Sequence, residues 1–138
     1  MSPRDGTRDL SRSSAVTHGI RIEVRARYSP EHSDPQHNLW FFLYTVEMSN
    51  EGSETVQLAS RHWVITDATG RVEEVRGPGV VGEHPVLEPG DAFEYTSGCP
   101  LPTPFGSMHG SYQFSTRKGK SLEVEIARFE LRQSAGLH

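Results

Sequence analysis

The sequence holds one cysteine, Cys99, among 138 residues, so no disulfide closes within the chain and a reducing compartment suits it. Long hydrophobic runs are also missing. The longest covers residues 39–44, far short of the ~18 apolar residues that a membrane-spanning helix needs. Beyond Met1, the first sixteen residues offer only Leu10, Ala15 and Val16 as apolar side chains, too few for the hydrophobic stretch of a secretory leader. These absences predict a cytoplasmic protein without membrane insertion. Charge of one sign is scarce, with 14 Lys and Arg against 18 Asp and Glu and a net charge of -4. The acidic excess lies after residue 16, because Arg4, Arg8 and Arg12 outnumber Asp5 and Asp9 before it. A surface that grips phosphates needs a basic patch, so no nucleic acid is expected on the folded part. No stretch repeats its apolar residues at the helical period, which excludes bundles and coiled coils.

What is present is alternation. A chain of this length fits one domain. Ser, Arg, Asp and Gly dominate residues 1–16, which bury too little apolar surface to offset the ~1–2 kcal/mol per residue of backbone ordering. They are predicted to form a disordered tail ahead of one domain over 17–138. From there Ile20, Ile22, Val24, Ala26 and Tyr28 alternate with Arg21, Glu23, Arg25 and Arg27, the period of a half-buried strand. Trp40, Phe42, Tyr44, Val46 and Met48 repeat the pattern, with Leu39, Phe41 and Leu43 on the opposite face, as in a strand covered on both sides over its first half. A third run over 56–66 ends in the hairpin turn Asp67-Ala68-Thr69-Gly70, with a short return strand over 71–76. Further runs cover 80–87, broken by Pro85, then 92–97 and 109–117, the last with Tyr112 and Phe114 inward. In the final element, over 120–132, Leu122, Val124 and Ile126 are even-numbered while Phe129 and Leu131 are odd-numbered. This switch of face near Ala127 predicts a β-bulge. Seven to eight short antiparallel strands, punctuated by 9 Pro and 13 Gly, predict an all-β fold, an immunoglobulin-like or fibronectin type III β-sandwich.

Gly77-Pro78-Gly79-Val80-Val81-Gly82 matches the G-x-G-x-x-G pattern that holds pyrophosphate where a strand turns into a helix. Pro85, Pro89 and Gly90 follow too closely for such a helix. What remains open is an anion nest of backbone amides at Gly77, Gly79 and Gly82, or glycines that merely shape a bulged loop. Seven histidines raise the question of a metal. Glu31-His32-Ser33-Asp34-Pro35-Gln36-His37 crowds potential ligands into one loop, but its spacing matches no established pattern, and no metal ligands are assigned. Cys99 has no evident base or cationic neighbour to activate it. No nucleophile elbow, P-loop, HExxH or paired carboxylate is seen, so no catalytic or cofactor-binding residue is assigned. Phe105 and Met108 lie in a Pro/Gly-rich segment, and Val80 and Val81 in the glycine segment. Apolar residues on rigid loops are candidates for a protein-contact surface.

Arg61-His62-Trp63-Val64-Ile65-Thr66, the glycine segment, Phe93-Glu94-Tyr95-Thr96-Ser97-Gly98 and Thr103-Pro104-Phe105-Gly106-Ser107-Met108-His109-Gly110 together resemble the bacterial ApaG family, over about residues 17–137. The resemblance implies a fibronectin-type sandwich and a family-level association with cobalt and magnesium resistance or efflux. Similar domains in some F-box proteins and in a polymerase-delta-interacting protein imply a protein-interaction module. Two departures from the family pattern are the longer N-terminal tail and Pro78, which stands where an acidic residue is common and removes a backbone donor. The expected function is a non-enzymatic binding domain for an unidentified protein partner, with residues 77–82 and 103–110 as one contact end. The alternative is an anion or small-molecule binder acting through residues 77–82 in divalent-cation homeostasis. A homo-oligomer through unpaired edge strands is a further option.

Overall fold

The alternating segments pair as antiparallel strands in a computed structural model that describes residues 10–133. Among these residues the strands are β1 (Ser11–Thr17), β2 (Ile20–Tyr28), β3 (Trp40–Asn50), β4 (Val56–Asp67), β5 (Val72–Pro78), β6 (Val86–Leu87), β7 (Ala92–Leu101), β8 (Phe105–Thr116) and β9 (Ser121–Arg132). One sheet has the order β1-β2-β3-β7 and the other β5-β4-β8-β9, with β6 paired to β4. The two layers form the expected β-sandwich. Short 3-10 turns at Pro30–His32 and Pro35–His37 join β2 to β3.

Period two accounts for which residues meet. Ile20, Ile22, Val24 and Ala26 of β2 and Phe42, Tyr44, Val46 and Met48 of β3 are buried, facing Trp63, Met108, Tyr112, Phe114, Val124, Ile126, Phe129 and Leu131 of the other sheet. Trp63 is the centre of this layer. Its ring lies 5.2 Å from Tyr44, 5.9 Å from Phe129 at 88°, and 6.3 Å from Tyr112, the edge-to-face geometry that aromatic pairs favour. Within this apolar layer, the Tyr95 and Tyr112 hydroxyls hydrogen-bond to each other and so tie β7 of one sheet to β8 of the other. Burial pushes both phenols above the ordinary value near 10 and keeps them neutral.

The bulge expected near Ala127 is present. Met108 pairs with Phe129 but Gly110 pairs with Ile126, so Ala127 and Arg128 share one position opposite His109, and the buried set moves from even to odd residues. Several boundaries differ from expectation: β7 runs on to Leu101 and β5 to Pro78. The run over 80–87 yields only the two-residue β6, and β8 starts at Phe105.

The larger correction concerns the tail. Residues 11–16, expected to belong to the disordered tail, form with Thr17 the strand β1 against β2, from Ser11 opposite Ala26 to Thr17 opposite Ile20; residues 1–9 and 134–138 lie outside the described residues. The hydroxyls that made this stretch look solvated are used across the sandwich. Ser13 Oγ donates to the Ala127 carbonyl at 2.8 Å, and Thr17 Oγ1 accepts from the Glu125 N–H at 3.1 Å. β1 thus covers the free edge of β9, a strand that would otherwise offer unpaired backbone groups.

The tyrosine pair yields a stability prediction. Tyr95→Phe or Tyr112→Phe alone strands a buried hydroxyl and should cost about 1–3 kcal/mol in urea unfolding. The double variant should cost clearly less than the two added together. Additive losses would show that the hydroxyls do not act as a pair.

Candidate functional site

β5 ends at Pro78, and the chain then folds back on itself. Val80 and Glu83 exchange backbone hydrogen bonds at 2.9 and 2.7 Å, leaving Val81 (φ 42) and Gly82 (φ 80) at the tip, the positive-φ pair of a two-residue hairpin turn. The Gly79 N–H donates to the Ala59 carbonyl at 3.0 Å. A Cβ at Gly79 would lie 2.4 Å from the Glu83 carbonyl oxygen, so only glycine lets the hairpin close here. Beneath the segment, Arg61 Nη1 donates to the carbonyls of Pro78 and Gly79 at 2.9 and 2.8 Å. Its guanidinium passes where a side chain on Gly77 would otherwise sit.

This geometry takes Gly77 and Gly79 out of the anion nest expected at Gly77, Gly79 and Gly82. An amide nest needs successive free N–H groups that converge on one point. Here the amides of Gly79, Val80 and Glu83 are spent on closing the hairpin, Gly77 belongs to the β4–β5 ladder, and no helix follows. The glycines instead shape a loop around the half-buried Arg61 side chain.

The proposed contact residues also separate. Val80 and Met108 are each 1% exposed and belong to the core, whereas Val81 is 58% and Phe105 53% exposed. Nor do the two segments form one end of the sandwich. Pro78 lies opposite Ser60 and Gly106 opposite Asp67, which places them roughly 20 Å apart along β4 at ~3.3 Å per residue. Phe105 keeps a defined setting: it faces Arg132 across the β8–β9 ladder, and its carbonyl accepts from Thr103 Oγ1 at 2.8 Å. The alternation of β8 puts Phe105, Ser107 and His109 on the outer face of the sheet. There they join Val64 and Thr66 of β4 and Val72 of β5, which is itself 53% exposed. Sequence reasoning missed Val72, although its position in the return strand after the Asp67 turn was the signal available.

The remaining candidates are held by local partners. Burial pushes the Cys99 thiol up to about 12, which keeps it protonated. His32 Nδ1 meets Ser29 Oγ at 2.7 Å, His37 Nδ1 meets Asp34 Oδ2 at 2.7 Å, and His62 Nε2 meets Glu74 Oε1 at 2.8 Å. Among the described residues no three His, Cys, Asp or Glu side chains converge as metal ligands. A shallow groove of about 250 Å3 opens between the sheets, lined by Ile65, Val72, Glu73 and Leu101 with Asp67 and Arg71 at its rim. Asp67 is occupied by its own turn, accepting from Thr69 and from the Arg71 N–H.

Comparison with known proteins places this architecture. Residues 30–116 match the model of a family described as the ApaG domain. The protein ApaG of Rhodospirillum centenum is 58% identical over 118 residues, 86% of this chain and 91% of that protein. Its counterpart in Rhodopseudomonas palustris is 52% identical over 122 residues, 88% of this chain and 94% of that one. A crystal structure of the putative ApaA protein from Bordetella pertussis superposes with a TM-score of 0.82 at 50% identity, covering 88% of this chain and 98% of that one. The C-terminal domain of wzt shares the fold alone, at a TM-score of 0.54 and 11% identity, covering 91% of this chain and 80% of that chain.

Val81 is a β-branched residue at positive φ, a conformation that costs about 1–3 kcal/mol. Val81→Asn creates the Asn-Gly pair such turns favour and should raise unfolding stability by about 1 kcal/mol, read from the denaturation midpoint. An unchanged or lower midpoint would contradict the turn assignment.

Proposed function

The chain belongs to the ApaG domain family, and from that premise we propose that it is a non-enzymatic protein-interaction domain whose contact surface centres on Phe105. The observation that carries this reading is the exposure of Phe105, 53% accessible on a strand, while the rings of Phe42, Phe114 and Phe129 are at most 2% accessible. A large ring held in water by a rigid strand is poised to bury its surface against a partner at little entropic cost. Its neighbours His109, Val64 and Thr66 on the same outer face supply the mixed apolar and polar rim of a small recognition patch. Among the described residues no helix is long and apolar enough to cross a membrane. Any influence on cobalt or magnesium handling is assigned in this reading to a protein partner.

Capture experiments with the wild type, Phe105→Asp and Val81→Asp test the assignment. Phe105→Asp should weaken retention of a partner about tenfold or more, as loss of a central aromatic anchor does. Val81→Asp, roughly 20 Å away by strand spacing, should leave it intact. If every partner binds Phe105→Asp as it binds the wild type, the contact surface lies elsewhere.

A further inference from the structure

β5 is an edge strand, bonded to β4 on one side and to no described strand on the other. The pairing fixes which of its backbone groups are free. The Asp67 N–H donates to the Arg71 carbonyl and the Gly79 N–H to the Ala59 carbonyl, each at 3.0 Å. Between these points the register runs without a shift from Thr66 opposite Val72 to Ser60 opposite Pro78. Bonded and non-bonded pairs alternate along an antiparallel ladder, so Glu73, Val75 and Gly77 turn their backbone groups toward β4. Val72, Glu74 and Arg76 turn theirs outward, and Pro78 turns out a carbonyl alone.

We propose that β5 pairs antiparallel with β5 of a second copy of this chain, across a two-fold axis at Val75, joining two β5-β4-β8-β9 sheets into one. That axis sets Glu74 opposite the partner's Arg76, Arg76 opposite the partner's Glu74, and the exposed Val72 opposite the partner's Pro78. Every facing group is one that points outward. Residues 74 and 76 exchange both backbone bonds in each pair, and the Val72 N–H meets the carbonyl that Pro78 retains. Moving the axis by one residue sets Glu74 against Glu74 or Arg76 against Arg76, and like charges directly opposite are destabilising. The charge pattern thus selects a single register. Within one chain Glu74 Oε1 touches Arg76 at 3.4 Å and His62 Nε2 at 2.8 Å, with the Glu74 and Arg76 side chains 53% and 71% accessible; these are weak exposed contacts made by one carboxylate oxygen, beside which the intermolecular pair can form. The free edge of β7 lacks this self-complementarity: its single charge, Glu94, is bridged to Arg25 at 2.6 Å, and Pro100 removes a donor.

Sedimentation of the full chain from micromolar to about millimolar concentration should show a reversible monomer–dimer equilibrium that weakens with salt. Glu74→Arg and Arg76→Glu should each weaken association roughly tenfold or more, because each turns two attractive pairs into repulsive ones. The combined swap should restore it. Amide exchange should show Val72, Glu74 and Arg76 gaining protection with concentration while Thr96 on β7 does not. A chain that stays monomeric throughout, or a dimer indifferent to the reversals or protected elsewhere, would overturn the proposal. Phe105→Asp should leave the dimer unchanged and Arg76→Glu, set opposite His62 and away from Phe105, should leave partner capture unchanged, so the two surfaces fail or stand separately.

Discussion

The hydrogen bond between the Tyr95 and Tyr112 hydroxyls is the constraint around which the interior is arranged. Two facing sheets ordinarily meet through apolar contact alone, which is strong but indifferent to sliding. A hydroxyl pair buried between them fixes the relative position of β7 and β8, because each oxygen would be costly to bury without the other. Trp63 packs against Tyr112 and Tyr44 beside it. Its own indole N–H is buried without a hydrogen-bond partner, so this polar centre of the core is held by packing at some cost.

The same logic extends outward from Arg61. Arg61 lies opposite Tyr112 in the β4–β8 ladder and its guanidinium collects the carbonyls of Pro78 and Gly79, so the glycine segment closes over a charged side chain. One pair of sheet edges is closed by β1, whose serine and threonine hydroxyls bond to the backbone of β9. The opposite edges, β5 and β7, remain open. What the periphery leaves accessible is an exposed ring at the start of β8 and, among the described residues, one free edge of β5.

Much of this was legible in the residues. Alternation located β2, β3 and β4, and the change of parity between Ile126 and Phe129 located the bulge, because burial follows period two wherever one face is wet. β1 was not legible, since composition counts Ser13 as solvated whereas its hydroxyl replaces water with a specific acceptor on a strand more than a hundred residues away. The glycine motif misled for a related reason: spacing shows that a tight turn is needed but not which amides the turn consumes. The supposed union of residues 77–82 with 103–110 failed on register, as β5 and β8 meet β4 seven residues apart at those points. Short sequence motifs carry no such register.

If the buried tyrosines hold the sheets together, stability must respond to alkali. Burial raises the phenols of Tyr44, Tyr95 and Tyr112 above the ordinary value of 10.0, and the Cys99 thiol from 9.0 to about 12. Above about pH 9 the unfolded chain therefore releases protons that the folded chain retains, so stability is intact below that point and falls as pH rises. The most direct measurement follows the urea midpoint from pH 7 to 11 together with tyrosine absorbance. The midpoint should be flat to about pH 9 and decline steeply beyond it, with the buried phenols ionising only on unfolding. A midpoint that stays flat to pH 11, with Tyr44, Tyr95 and Tyr112 titrating near 10 in the folded protein, would contradict it.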